Sequence, residues 1–273
     1  EVFYKQNKPA VMLYPTNGLL PELIAEKTEQ ILQHCTKSVV VVKLSMDGIN
    51  GTHDALRDTP GAFAKTMQTY HLLEGLLDRY PNFELGINTV FCSENQDRMD
   101  EVIDFVQTLQ SVKTHTISMV RGDLIDGHYK EVNYEKYAHA VNRLEADMKQ
   151  KVSNTYSFRG ARLKAAQDIV QRRLIYQTSL AQRRLVPCYA GRLNLVLSES
   201  GDVYPCEILK TSLGNIRDYD YDISRIIRSG RAKEVITSIL QNECYCSHEC
   251  YYITNILFNP RLYPALFKEY LQL

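Results

Sequence analysis

The chain has 273 residues, 44% of them hydrophobic and 23% charged, and its 32 Lys+Arg balance 32 Asp+Glu for a formal net charge of +0. That composition suits a soluble globular protein of one large or two unequal domains, and it excludes a globally basic nucleic-acid binder and an acidic disordered chain. With no apolar run of membrane-spanning length and no signal-peptide stretch near Glu1, the reading is a cytoplasmic chain with no membrane and no nucleic-acid partner.

Residues 10–120 alternate between strand and helix patterns. A short apolar run at 9–14 ends in the turn signal Pro15-Thr16-Asn17-Gly18. A helix is predicted over about 19–35, with Leu20, Ile24, Ile31 and Cys35 on one face and Pro21 in its first turn. The run Val39 to Val42 is uniformly β-branched, as in a parallel strand covered on both faces. A loop over 49–60 and a helix over about 61–80, with Phe63, Met67, Tyr70 and Leu77 in register, follow. Residues 83–90 read as a strand, Met99 to Leu109 as a helix, and 112–120 as a further strand. Strands separated by helices imply right-handed βαβ units in a parallel sheet or barrel, which binds ligands at the C-terminal ends of its strands. The polar residues at those ends are Thr16, Asn17, Ser45, Asp47, Asn88, Thr89 and Arg121. The same residue types also serve as ordinary turn and cap residues.

Beyond Gly127 two helices are predicted, over 134–152 and 158–185, the second rich in arginine; a solvated face accounts for that charge, and an anionic substrate or partner is the sharper alternative. Residues 194–206 read as a β-hairpin turning at Ser200-Gly201, residues 223–239 as a helix, and the stretch after Asn259-Pro260 as a last amphipathic helix.

Of the 7 cysteines, Cys35 and Cys92 stand alone, whereas Cys188, Cys206, Cys244, Cys246 and Cys250 crowd the last third. An odd, clustered count is not a secreted disulfide framework and points to metal binding or redox chemistry. The hairpin folds Cys206 back toward Cys188, and Cys244-x-Cys246-x-x-x-Cys250 adds thiolates from one loop. A [4Fe–4S] cluster takes four converging cysteines, and zinc accepts four sulfurs as well; counting does not separate them. One cysteine is spare, within Cys244, Cys246 and Cys250. Cys92 reads as a buried structural thiol.

These motifs resemble radical SAM enzymes with a SPASM/twitch extension. The resemblance rests on Cys188-x12-Gly201-x4-Cys206, Leu213-Gly214-Asn215-Ile216 and the Cys-x-Cys-x-His-Glu-Cys segment. Upstream it rests on Pro15-Thr16-Asn17-Gly18-Leu19-Leu20, Ser45-Met46-Asp47-Gly48 with His53-Asp54-x-x-Arg57, Asn88-Thr89-Val90 with Asn95, and Val120-Arg121-Gly122. It implies an α/β fold: a partial (β/α)6 TIM-like barrel lacking its first two strands (1–155), a linking helix (156–186), a SPASM/twitch domain of hairpin plus helices (187–258) and a C-terminal helix (259–273). The family's Cys-x-x-x-Cys-x-x-Cys motif does not occur in these 273 residues. The expectation is therefore a truncated chain, inactive alone, that exposes the edge of its first strand.

The resemblance further implies an auxiliary [4Fe–4S] cluster on Cys188, Cys206 and two of Cys244, Cys246 and Cys250. In the full-length parent it implies S-adenosylmethionine and a second [4Fe–4S] cluster, which together yield a 5′-deoxyadenosyl radical that abstracts hydrogen. Ser45 and Asn88 would contact this cofactor, with Thr16, Asn17, Asp47, Arg57 and Arg121 shaping its cavity; for Arg57 and Arg121 a structural salt bridge is an equal reading. The implied partners are a peptide, protein or small-molecule substrate and a reductant such as flavodoxin or ferredoxin. The alternative is a non-catalytic zinc or iron–sulfur interaction module.

Overall fold

A computed structural model describes residues 2–154, 156–241 and 244–273. It divides into two compact units, one of residues 1–120, 126–165 and 273, the other of 121–125 and 166–272.

The first unit runs α1 (Val2–Asn7), β1 (Val11–Thr16), α2 (Pro21–His34), β2 (Val39–Ser45), α3 (Gly51–Leu56), α4 (Ala62–Leu77), β3 (Phe83–Phe91), α5 (Met99–Thr108), β4 (Val112–Met119) and α6 (Tyr134–Lys149). The sheet is four-stranded in the order β1-β2-β3-β4, every pair parallel, as the alternation of strand and helix predicts. Val40, Val42 and Leu44 of β2 stand on one face in register with Phe83, Leu85 and Ile87 of β3. All six are buried, Val40, Leu44, Leu85 and Ile87 completely. The opposite face carries Lys43, Ser45, Gly86 and Asn88.

Two helical stripes sit about one residue away from their predicted positions. The buried positions of α4 are Ala62, Thr66, Thr69, Tyr70, Leu73 and Leu76, and those of α2 are Pro21, Thr28 and Leu32, whereas Leu20 is exposed. The cause is close approach. Thr66 donates to the carbonyl of Asn17 (3.2 Å) and Thr69 to that of Gly18 (2.7 Å), so small hydroxylated residues replace the large ones. Gly18 has φ +73, and a Cβ there would lie 3.0 Å from Thr66 Oγ1. The predicted 49–60 loop contains the short helix α3. β1 is an edge strand on which Val11 and Leu13 are exposed.

The second unit holds most of α7 (Ala161–Ala181), then β5 (Val196–Leu197), β6 (Asp202–Tyr204), β7 (Gly214–Asn215), α8 (Ile223–Arg228), α9 (Gly230–Gln241), α10 (Glu249–Leu257) and α11 (Tyr263–Gln272). The predicted hairpin is present as antiparallel β5 and β6, turning at Gly201 with φ +89, and β7 adds a third strand. The single helix predicted over 223–239 is two, split at Ser229, whose extended ψ of 157 ends α8. Val203, Cys206, Leu213, Ile226, Ala232, Val235, Ile239 and Tyr251 form this unit's core, with Cys188 packed against it. No helix among the described residues is long and apolar enough to cross a membrane.

Candidate metal centre and ligand site

The cysteine site is built by three segments of the second unit: Cys188 after α7, Cys206 just past β6, and Cys244 and Cys246 before α10. Burial pushes the Cys246 thiol up to about 11, with Cys188, Cys244 and Cys206 adding to the rise. Burial also raises Cys206 and Cys244, and each of them feels Cys188 as a further cause. These four sulfurs therefore share one electrostatic neighbourhood. Two features work against the desolvation. The backbone amide of Leu209 donates to Cys206 Sγ at 3.3 Å, and the amide of His248 lowers Cys246. Amide donors aimed at sulfur stabilise a thiolate, the form that ligates metal.

Cys250 has different neighbours. It lies in the first turn of α10, where burial raises it first, Glu207 and Glu249 raise it further, and Arg121 opposes them. Arg121 Nη1 is 3.5 Å from Glu249 Oε2, so Arg121 stands in a salt bridge of the second unit. His248, only 1% exposed, bonds Glu207 Oε2 through Nε2 at 2.5 Å and stacks edge-on against Tyr251. Tyr251 accepts from the amide of Glu207 at 3.0 Å. Glu207, His248 and Tyr251 are structural partners that the cysteine count did not single out; their positions beside Cys206, Cys246 and Cys250 were the available signal.

Among the described residues no three His, Cys, Asp or Glu side chains close tightly enough to hold one metal ion. The donor set nonetheless fits a cluster in its chemistry: thiol donors from separate segments, Cys206 buried, Cys188 and Cys246 half-buried and Cys244 exposed, with amides directed at two of the sulfurs.

In the first unit Ser45, the last residue of β2, and Asn88, near the C-terminal end of β3, are register partners, both half-buried. Asn88 Oδ1 accepts from Ser118 Oγ at 3.3 Å. Asp47 is buried beside them, with Oδ2 2.6 Å from Arg57 Nη2 and Oδ1 accepting from the amide of Val90 at 2.7 Å. Its backbone amide donates to His53 Nδ1 at 3.1 Å, and its carbonyl accepts from Asn95 Nδ2 at 2.9 Å. Burial keeps His53 below the usual imidazole range, helped by the charge of Arg57. Asp54 accepts from the amides of Gly61 and Phe63, each at 2.7 Å, which hold its carboxyl low. Thr16 and Asn17, at the end of β1, accept from the amides of Gly18 (3.3 Å) and Leu19 (3.1 Å). The strand-end residues thus separate into two kinds: Asp47, Arg57, Thr16 and Asn17 hold loops, while Ser45 and Asn88 stand side by side on one face. Cys35 and Cys92 are buried and remote in sequence from the cysteine site.

Residues 188–251 match SPASM, an iron-sulfur cluster-binding domain. The chain is 26% identical over 215 residues to an AdoMet-dependent heme synthase from Methanosarcina barkeri, a match covering 76% of this chain and spanning 57% of that protein. Among solved structures it is similar to histidine-tagged anSMEcpe with bound AdoMet (TM-score 0.57, 15% identity, covering 96% of this chain and 72% of that one). It is also similar to native anSMEcpe with bound AdoMet and Kp18Cys peptide (TM-score 0.55, 16% identity, covering 96% and 76%). The fold is thereby shown to be that of these solved structures, residues 188–251 match an iron–sulfur cluster-binding domain, and the resemblance to radical SAM enzymes stands.

Proposed function

We propose that this chain, which carries a SPASM domain at residues 188–251 and is homologous to an AdoMet-dependent heme synthase, works as part of a radical SAM oxidoreductase or maturase. The supporting observation is the shared electrostatic neighbourhood of Cys188, Cys206, Cys244 and Cys246, with backbone amides directed at Cys206 and Cys246. These four are our ligand set for an auxiliary [4Fe–4S] cluster, and Cys250 is the spare. The chemistry supplied when S-adenosylmethionine and its own cluster are bound is one-electron cleavage to a 5′-deoxyadenosyl radical that takes hydrogen from substrate.

The chain's own residues bind and orient. Ser45 offers a hydroxyl and Asn88 an amide nitrogen from adjacent strand ends, a donor pair suited to the polar part of S-adenosylmethionine. Asp47, Arg57, Thr16 and Asn17 hold the loops around that pair, and Arg121 holds the start of α10 through Glu249. The substrate class is a peptide, protein or small molecule, and the electron source is a flavodoxin- or ferredoxin-type reductant.

The test is binding of S-adenosylmethionine to the anaerobically loaded chain by equilibrium dialysis. Ser45→Ala and Asn88→Ala should each weaken binding about tenfold, the worth of one lost polar contact of roughly 1.4 kcal/mol. Retention of full affinity by both variants contradicts the ligand site.

A further inference from the structure

Ser45 and Asn88 are the last register pair between β2 and β3, and the last backbone bond there runs from the Met46 amide to the Asn88 carbonyl, 2.9 Å. Beyond that point side chains make the connections. Thr89 Oγ1 donates to the Met46 carbonyl at 2.6 Å, and the Val90 amide donates to Asp47 Oδ1 at 2.7 Å. Asn95 Nδ2 then spans the carbonyls of Asp47 (2.9 Å) and Val90 (2.8 Å), while its Oδ1 accepts from the Cys92 amide at 2.9 Å. Thr89 and Asn95 are completely buried, and Asp47 is 6% exposed.

We propose that the side-chain bridge from Asp47 to Val90, backed by Thr89 and Asn95, is the positioning device that sets the spacing of Ser45 and Asn88 for their ligand. The inference rests on reading those two residues as ligand groups. All four polar atoms of Asp47 are engaged within the chain, namely its amide by His53, its carbonyl by Asn95, Oδ1 by Val90 and Oδ2 by Arg57. It acts on a ligand only through its neighbours. Ladder bonding holds parallel strands about 4.8 Å apart. Where a carboxylate and a hydroxyl replace the carbonyl-to-amide contacts, regular pairing ends, immediately past Ser45 and Asn88. The bridge therefore fixes where pairing stops, and the donor pair stands at that point. Two roles reside in the two oxygens of one carboxylate: Oδ2 neutralises Arg57, whereas Oδ1 carries the bridge.

The experiment separates those roles. S-adenosylhomocysteine affinity and thermal midpoint are measured on the anaerobically loaded chain and its variants. Asp47→Asn keeps an oxygen for the Val90 amide but loses the ion pair; it should melt lower yet bind the probe within about threefold of the parent. Asp47→Ala loses both and should melt similarly low but bind about tenfold more weakly. Thr89→Val, nearly isosteric, should weaken binding several-fold, and Thr89→Ser should restore it. Equal affinity in Asp47→Asn and Asp47→Ala, or in Thr89→Val and the parent, overturns the proposal. A parent chain that fails to bind the probe overturns the ligand-site reading itself, and this proposal with it; a parent that binds, with Ser45→Ala impaired, leaves the positioning claim to be decided by Asp47 and Thr89 alone.

Discussion

The amide of Leu209 points at the sulfur of Cys206 across 3.3 Å. A buried neutral thiol gains little from such a donor, whereas a thiolate gains a charge-assisted bond and a metal-bound sulfur gains tuning of its donor strength. The segment that places this amide follows β6 directly, so the hairpin that delivers Cys206 also supplies its sulfur with a backbone donor.

Removing a ligand should remove the metal. Cys206→Ala and Cys246→Ala should lose the visible absorbance of the anaerobically purified chain, and Cys35→Ala should keep it, because Cys35 is buried in the first unit. Cys250→Ala should also keep it, since Glu207, Glu249 and Arg121 set the surroundings of that thiol. Absorbance spectra with iron quantitation check all four variants; a bleached Cys250→Ala would move the spare position to Cys244.

In the metal-free chain burial raises Cys246 from 9.0 to about 11. The folded state then holds this proton more tightly than the unfolded state. Its contribution to stability is complete below pH 9 and disappears as pH rises toward 11. Urea unfolding of the apo chain between pH 8 and about 11 should show that decline, and Cys246→Ala should remove this thiol's part of it while the raised Cys206, Cys244 and Cys250 thiols keep theirs.

His53 titrates in the opposite sense. Its Nδ1 accepts from the Asp47 amide, and burial lowers its pKa from 6.5. The neutral ring is the folded form, so stability is complete above pH 6.5 and falls as pH drops toward the lowered folded value. Thermal midpoints should decrease between about pH 7 and 5, and His53→Gln should remove that part of the slope.

Arg57 neutralises a carboxylate that is buried among backbone donors. Arg57→Ala should cost about 3 kcal/mol, because it leaves Asp47 charged without its 2.6 Å partner. Arg57→Lys should recover part of that loss. Denaturant midpoints at neutral pH provide the comparison.

The parallel sheet was legible because β-branched runs such as Val39 to Val42 and the intervening helical periods leave few alternatives. The buried stripes of α2 and α4 were less so, since Thr66 and Thr69 are buried by bonds to the carbonyls of Asn17 and Gly18, contacts that depend on tertiary approach. The break at Ser229 lies next to Gly230, a signal that the apolar period around it obscured. At the cysteine site the sequence supplied the thiols but not their surroundings: burial raises Cys250 first, and its charged neighbours are Glu207, Glu249 and Arg121, which come from distant parts of the chain as well as from its own helix. Likewise, Asp47 and Ser45 looked equivalent as strand-end polar residues, and only the Val90, Asn95, His53 and Arg57 contacts distinguish a clamp from an available donor.

The most direct measurement is iron and acid-labile sulfide content of the anaerobically reconstituted chain, read beside its electron paramagnetic resonance spectrum after dithionite reduction. One [4Fe–4S] cluster on Cys188, Cys206, Cys244 and Cys246 gives about four iron and four sulfide per chain and a reduced-cluster signal. A colourless chain that binds zinc through these cysteines, or that takes up no iron at all, contradicts it.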